Sequence, residues 1–305
     1  MSITIVFPGQ GSQFVGMGKD LVETFPEAKA LFDEANELLG RDIAKICFEG
    51  PEDELIKTEN AQVGLFLVSA ALYQQLEKNQ IKASYLAGHS LGELTAYYAS
   101  GAMDLKTALE VVVARGQSMS KCSDGAMAAI LGSDLQNLET ELLEFENEPV
   151  IVANYNSPGQ YVISGSKKGI EAACEKCSAL PNVKRVVPLK VGGPFHSPIM
   201  NPAAKEFSSF IANKVINDAS TPIILNRNAL SETFGEKLKE NLPLQVKSSV
   251  KWQQSIEKVA PSTTLFIECG PGKVLSGLIK KIAKDKAVVS IASVESLNAF
   301  LDEQE

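Results

Sequence analysis

The chain has 305 residues, 45% of them hydrophobic, and a formal net charge of −8 at pH 7. A chain of this size buries a large core and forms one large domain or two unequal ones. Its acidic balance, without a long basic run, argues against a nucleic-acid partner. No apolar stretch approaches the roughly 20 residues of a membrane span, so we expect no membrane association.

The N-terminus and the cysteines predict a cytoplasmic protein. An apolar strand at 3–7 follows the first residues with no basic segment before it, which argues against a secretory signal. Five scattered cysteines, an odd number, fit reduced thiols. Cys174 and Cys177 resemble half of a zinc site, but no second pair and no nearby histidine accompany them. We therefore expect no metal site.

The first 120 residues alternate between strand-like and helix-like patterns. Apolar runs predict strands at 3–7 and 84–87. The spacing of apolar residues predicts helices at 24–39, 61–77, 92–100 and 104–120. This alternation predicts an α/β fold with a mostly parallel sheet covered on both faces.

The middle of the chain has a different order of predicted elements. The pattern gives a strand at 126–131, a helix at 134–146, hairpin strands at 150–154 and 160–164, a helix at 167–180 and a strand at 183–189. This is the β-α-β-β-α-β order of a ferredoxin-like unit. We predict a small subdomain at 124–190, inserted into a core formed by 1–123 and 191–305. In that core a further buried strand is predicted at 264–267.

The main chemical signal is Gly88-His89-Ser90-Leu91-Gly92, a G-x-S-x-G motif between a predicted strand and a predicted helix. The turn is so sharp that side chains two positions before and after the serine would collide, so both positions are glycine. The serine sits in a strained backbone at a helix start, where free N–H groups favour an oxyanion. We predict that Ser90 is a nucleophile; a tight turn with an incidental serine is the alternative.

A serine nucleophile needs a base, and the chain has only two histidines. His89 adjoins Ser90 in the turn and should point away from it, so we expect a structural role. His196 lies in a loop rich in Gly and Pro, and the order Ser then His is that of α/β-hydrolase folds. We predict His196 as the base. No acidic residue stands out as a third group, and a backbone carbonyl can also hold a histidine tautomer.

The first predicted strand ends in the glycine-rich segment Pro8–Gln13. It does not fit a dinucleotide loop, because Phe14 stands where a third glycine is needed, and it lacks the Gly-Lys-Ser/Thr ending of a P-loop. Two readings stay open with equal weight. The segment is either a simple turn or the source of a backbone N–H for an oxyanion hole.

Arg115 lies on a strongly apolar predicted helix. A buried guanidinium without a partner is unfavourable by several kcal/mol, so it requires a carboxylate. That carboxylate is either a structural Asp or Glu, or a substrate carboxylate bound through two hydrogen bonds.

These segments together resemble the malonyl-CoA:acyl carrier protein transacylases and the acyltransferase domains of fatty acid and polyketide synthases. The resemblance covers nearly the whole chain and rests on six ordered motifs, which are more specific together than any one alone. The motifs are Phe7–Gln13, Gly88–Glu93, Arg115-Gly116, Asn154–Gln160, Pro194–Ser197 and Glu268–Gly272. The family fold is an α/β-hydrolase-like core with a ferredoxin-like insertion.

The resemblance implies a role for each matching position. It makes Ser90 the acyl-accepting nucleophile, His196 the base and then the acid, and Arg115 the ligand of the malonyl carboxylate. The remaining implied roles are an oxyanion hole from the N–H groups of Gln10 and Leu91, a histidine-orienting carbonyl at Gln245, and a malonyl-selective pocket residue at Phe195. After Gln245, Val246–Ser249 departs from the Asn-Pro common in the family.

The resemblance also implies the reaction and its partners. A malonyl group would pass from malonyl-CoA through Ser90 to the phosphopantetheine thiol of acyl carrier protein, in fatty acid synthesis or in a polyketide pathway. No cofactor is required, and we expect a monomer. A serine esterase or thioesterase and a non-catalytic carrier-binding scaffold are the rival interpretations.

Carrier proteins are acidic, as this chain is, so docking requires a local basic patch. The candidates are Lys184, Arg185, Lys190, Lys247, Lys251, Lys280 and Lys281.

Overall fold

The computed structural model describes residues 2–145 and 148–304. The strands are β1 (Ile3–Phe7), β2 (Tyr85–Gly88), β3 (Ala126–Leu131), β4 (Val150–Ser157), β5 (Gln160–Gly165), β6 (Arg185–Pro188), β7 (Ile223–Ile224), β8 (Ser231–Glu232), β9 (Leu265–Cys269) and β10 (Ala287–Ile291). The first seven helices are α1 (Lys19–Thr24), α2 (Pro26–Leu39), α3 (Ile43–Glu49), α4 (Glu52–Leu55), α5 (Thr58–Lys78), α6 (Leu91–Ala99) and α7 (Leu105–Ser120). The others are α8 (Leu135–Leu142), α9 (Lys167–Ser178), α10 (Asn201–Ile211), α11 (Gly235–Val246), α12 (Trp252–Val259), α13 (Val274–Ile282) and α14 (Val294–Asp302).

The larger sheet has six strands in the order β10-β9-β1-β2-β7-β8. Every neighbouring pair is parallel except β7 and β8. All five residues of the central strand β1 are buried, as expected for a strand covered by helices on both faces. The predicted α/β class with a mostly parallel sheet is confirmed.

The smaller sheet has four strands in the order β4-β5-β3-β6, and all its neighbours are antiparallel. With α8 and α9 between the strands along the chain, it has the predicted β-α-β-β-α-β order. It has a core of its own, to which Ile130, Leu138, Ile163 and Ile170 contribute.

Several predicted boundaries differ from those in the structure. The helix predicted at 24–39 begins only at Pro26 as α2, and Thr24 is the last residue of α1. The break falls at Phe25, which precedes a proline and is extended, with φ of −115° and ψ of 113°. The helix predicted at 134–146 ends as α8 at Leu142, and a short 3-10 turn follows. Residue 146 of that prediction lies outside the described residues.

The two sheets meet near the carboxyl end of β2. Asn154 of β4 forms an isolated parallel bridge with Val250, which precedes α12. β2 continues directly through Ser90 into α6, so the predicted nucleophile lies at this junction. Among the described residues, no helix is both long enough and apolar enough to cross a bilayer.

Candidate active site

The turn that carries Ser90 is strained and admits only glycine at its flanks. Ser90 has φ of 52° and ψ of −103°, in the region that L-residues avoid. A Cβ at Gly88 would lie 1.9 Å from the carbonyl carbon of Gly92, which is the collision expected from the sequence. A Cβ at Gly92 would lie 2.0 Å from the carbonyl oxygen of Phe7. Glycine at position 92 therefore allows α6 to pack closely against β1.

Ser90 and His196 meet although 106 positions separate them in the chain. The distance between Ser90 Oγ and His196 Nε2 is 2.7 Å. His196 lies in the loop after β6, has a positive φ of 59°, and is only 3% exposed. A serine hydroxyl this close to a buried imidazole has the geometry of a nucleophile and its base.

Backbone carbonyls orient His196. Its Nδ1 lies 3.1 Å from the carbonyl oxygen of Gln245 and 3.1 Å from that of Ser248. Because carbonyls only accept, Nδ1 carries the proton and Nε2 is left to accept from the Ser90 hydroxyl. Burial, with a smaller effect of the nearby Arg115 charge, lowers the pKa of His196 to about 3. The imidazole is therefore neutral near pH 7, as a general base must be.

Arg115 contacts the same serine oxygen. Its Nη2 donates to Ser90 Oγ at 3.1 Å and to Gln245 Oε1 at 2.9 Å, and its Nη1 donates to Gln62 Oε1 at 2.7 Å. Among the described residues it forms no ion pair with a carboxylate. Burial lowers the pKa of Arg115 to about 10 and the Glu93 carboxylate opposes this, so the guanidinium is charged at neutral pH.

Of the two carboxylate partners considered for Arg115, the structural one is replaced by two amide side chains. The Arg115 Nε has no hydrogen-bond partner in the described part of the chain. A buried guanidinium held only by neutral groups retains the capacity to pair with an anion.

His89 points away from the nucleophile, as its place in the turn predicts. Its Nε2 lies 2.9 Å from Asn156 Oδ1 and 3.3 Å from Asn154 Nδ2. Its ring packs edge-on against Trp252 at 5.7 Å between centroids. His89 therefore joins the strand-to-helix turn Gly88–Gly92, called the elbow below, to the smaller sheet and to α12.

A cavity of about 230 Å³ opens onto Ser90 and His196. Gln10 and Phe195 line it, together with apolar side chains that include Met119, Met127 and Val162. Arg115 does not line the cavity. It contacts Ser90, which does, through the hydrogen bond from its Nη2 to Ser90 Oγ. The cavity is therefore a mainly apolar chamber with the reactive groups on one wall.

Of the two predicted oxyanion-hole residues, Gln10 lines this chamber and Leu91 directly follows Ser90. Leu91 is the first residue of α6, and Gln10 lies in the loop after β1. That loop packs directly on the elbow, because a Cβ at Gly9 would lie 2.3 Å from the carbonyl oxygen of His89. The close approach brings the loop backbone beside the nucleophile.

Sequence reasoning missed several of the polar contacts that hold the elbow. Asn226 Oδ1 accepts from the Ser90 N–H at 2.7 Å, and Gln245 Nε2 donates to the Ser90 carbonyl at 2.8 Å. Glu93 is fully buried and binds Asn226 and Asn241. A charged residue on the apolar helix α6 was the available signal for Glu93; Asn226 had none. Within the described residues, no group of three or more His, Cys, Asp or Glu side chains forms a metal-binding cluster.

Comparison with known proteins identifies the class to which this fold and site belong. The family model described as the acyl transferase domain matches residues 4–298. The chain therefore belongs to the acyl transferase domain family.

The individual relatives all carry names of one kind of acyl transferase, the malonyl transferases that act on acyl carrier protein. The malonyl CoA-acyl carrier protein transacylase of Bacillus subtilis (strain 168) is 44% identical over 97% of this chain and 95% of that protein. A polyketide biosynthesis malonyl CoA-acyl carrier protein transacylase of the same organism is 42% identical, and the match covers 93% of this chain and 98% of that protein. The crystal structure of an acyl carrier protein S-malonyltransferase from Vibrio cholerae has a TM-score of 0.94 and 38% identity, covering 98% of this chain and 100% of that one.

Proposed function

We propose that this protein transfers a malonyl group from malonyl-CoA to the phosphopantetheine thiol of acyl carrier protein, through an ester on Ser90. One observation carries the proposal. The Ser90 oxygen lies 2.7 Å from a neutral histidine nitrogen and 3.1 Å from a buried cationic nitrogen of Arg115. A nucleophile that touches both a base and a cation suits an acyl group that bears a carboxylate.

In the first half-reaction Ser90 Oγ attacks the thioester carbonyl while His196 Nε2 takes the hydroxyl proton. The oxyanion of the tetrahedral intermediate would accept hydrogen bonds from the N–H groups of Gln10 and Leu91, each worth about 3 kcal/mol. The carbon–sulfur bond then breaks, coenzyme A leaves with the proton from His196, and malonyl-Ser90 remains.

In the second half-reaction the carrier thiol takes the place of coenzyme A. His196 removes the thiol proton, the sulfur attacks the ester carbonyl, and the Ser90 oxygen leaves with the proton. The carbonyls of Gln245 and Ser248 stabilise the imidazolium that forms each time, since both accept from Nδ1. No cofactor is needed for either half.

Arg115 would select the acyl group. The free carboxylate of a malonyl ester on Ser90 is only a few bonds from an oxygen that Arg115 Nη2 already contacts. Rotation of the guanidinium from Ser90 Oγ to that carboxylate would form a charged, two-point hydrogen bond. Phe195, buried in the cavity wall, would limit the room for a branched acyl group.

We assign the reaction to fatty acid biosynthesis in the cytoplasm; the five free thiols fit a reducing compartment. A polyketide carrier is the alternative acceptor, because one of the relatives is named as a transacylase of polyketide biosynthesis.

A panel of acyl-CoA substrates with and without holo acyl carrier protein tests the proposal. We expect malonyl-CoA to be used in preference to acetyl-CoA, and the product to be malonyl on the carrier thiol. Release of malonate at the same rate without the carrier would instead identify a hydrolase.

A further inference from the structure

We propose that Glu93 is a positioning residue: its buried carboxylate sets the geometry of both Ser90 and His196 by binding Asn226 on one side and Asn241 on the other. The inference deepens the proposed function, on which it rests. Glu93 is on α6, three residues beyond the nucleophile, and it is fully buried.

The first branch runs from Glu93 to Ser90. Glu93 Oε2 accepts from the backbone N–H of Asn226 at 2.5 Å. The Asn226 side chain in turn accepts from the Ser90 N–H at 2.7 Å and donates to the Gly88 carbonyl at 2.6 Å. The Asn226 side chain thereby bridges the two sides of the strained turn, at Gly88 and Ser90, and the Glu93 carboxylate holds Asn226 in place.

The second branch runs from Glu93 toward His196. Glu93 Oε1 accepts from Asn241 Nδ2 at 2.7 Å. Asn241 and Gln245 are four residues apart on α11 and so lie on the same face of that helix. The Gln245 carbonyl binds His196 Nδ1, and the Gln245 side chain binds the Ser90 carbonyl. One carboxylate therefore ties together the three segments that hold the nucleophile and its base.

The hydrogen bonds of Glu93 favour the carboxylate anion. Both carboxylate oxygens accept from N–H donors, one from Asn226 and one from Asn241. A glutamine at position 93 would place its own NH₂ group against one of these two donors. Burial raises the pKa of Glu93 to about 7, while its hydrogen bonds and the charge of Arg115 lower it. The other titratable group beside it is the Tyr97 hydroxyl, which accepts from Asn241 at 3.2 Å and donates to the Leu238 carbonyl.

The test begins with Glu93→Gln in the full chain. A small displacement of reacting atoms lowers rates by up to about 10²-fold. We expect the rate of Ser90 acylation by malonyl-CoA to fall roughly 10- to 100-fold, with KM for malonyl-CoA changing less than about three-fold. Labelling of Ser90 by a fluorophosphonate probe should slow in parallel, because that probe needs Ser90 and His196 but not the carboxylate-binding Arg115.

A matched control separates positioning from loss of stability. Glu268→Gln changes another fully buried carboxylate that accepts two N–H bonds, from Leu275 and Ser276 at the start of α13. It should lower the midpoint of thermal unfolding and leave probe labelling of Ser90 within about two-fold of the wild type. Equal slowing by both variants would overturn the proposal.

A double-mutant cycle with Asn226→Ala gives the second readout. If Glu93 acts on Ser90 through Asn226, the two losses in labelling rate should not multiply. Fully multiplicative losses, or wild-type kinetics in Glu93→Gln, would contradict the inference. The wild type keeps the two proposals distinct: if it formed no malonyl-Ser90 yet labelled normally with the probe, only the proposed function would fail.

Discussion

The Ser90 oxygen donates a hydrogen bond to His196 and accepts one from Arg115, so a single atom joins the nucleophile, the base and the cation. All three side chains come from different elements. The guanidinium has no carboxylate partner among the described residues, so its charge is available to a ligand. Selectivity and reactivity are therefore expected to depend on different neighbours of the same oxygen.

Arg115→Ala should separate these two properties. Removing one partner of a buried charge pair costs about 3–5 kcal/mol, so malonyl transfer should fall at least about 10²-fold while acetyl transfer changes little. Arg115→Lys keeps the charge but loses the planar fork, so its loss should be intermediate. Steady-state kinetics with both acyl-CoAs checks this, and equal losses for both acyl groups would make Arg115 structural.

The buried His196 should make stability depend on pH in a specific direction. Its pKa is lowered from 6.5 to about 3, so between these two pH values the unfolded chain binds a proton that the folded chain excludes. The free energy of unfolding should therefore fall as the pH falls, by about 1.4 kcal/mol per unit for this one group.

His196→Gln should remove that dependence. Between pH 7 and pH 5 the stability of the variant relative to the wild type should rise by about 2 kcal/mol. Urea unfolding of both proteins at each pH measures the difference. If the free energies of unfolding of the two proteins changed equally between pH 7 and pH 5, folding would not lower the pKa of His196.

At the scale of elements, the elbow depends on close contacts between β1, β2 and α6. Gly92→Ala would place a Cβ 2.0 Å from the Phe7 carbonyl and force α6 away from β1. We expect a loss of about 3 kcal/mol or more in unfolding free energy, together with slower acylation.

Gly277→Ala is the matched control for Gly92→Ala. Gly277 lies inside α13, and a Cβ there would meet no described atom outside its own helix turn within 4 Å. It should stabilise the protein by up to about 1 kcal/mol through helix propensity. Denaturant unfolding compares the two, and a neutral Gly92→Ala would contradict the account of the elbow.

The sequence predicts the elements that follow local rules. The spacing of G-x-S-x-G predicts the elbow, and the strand–helix order predicts both sheets. The break before Pro26 has a local signal as well, although the apolar periodicity of 24–39 obscures it.

Contacts that the tertiary fold creates are harder to predict. Asn226 reaches Ser90 across 136 positions, and no pattern near Asn226 indicates the contact. The resemblance points to the backbone carbonyl of Gln245, but not to the hydrogen bond that its side chain forms with Ser90 across 155 positions. A structural carboxylate was one of the two partners that charge alone suggested for Arg115, whereas the fold supplies Gln62 and Gln245. Amides satisfy a guanidinium by hydrogen bonding without neutralising it, which charge counting does not anticipate.

At the scale of the whole molecule, the net charge of −8 opposes an acidic partner, so docking must depend on local charge. Lys190 is exposed at the rim of an outer cavity of about 680 Å³ that shares Gln10, Leu189 and Val191 with the active-site cavity. Of the seven docking candidates, Lys190 is the one that lines either cavity in the described structure.

Lys190→Ala should weaken transfer from malonyl-enzyme to the carrier roughly two- to five-fold at low salt and reduce its dependence on ionic strength. Lys82→Ala is the control, because Lys82 is exposed three residues before β2, at the opposite edge of the sheet from Ser90. Identical salt series for the two variants would count against docking at this rim.

The most direct measurement is the intact and peptide mass of the enzyme at two stages. After malonyl-CoA is added and the excess removed, we predict one malonyl group on Ser90, and its complete transfer once holo acyl carrier protein is supplied. An enzyme that stays unmodified, that carries the label on another residue, or that loses it to water before the carrier arrives would contradict transfer through Ser90.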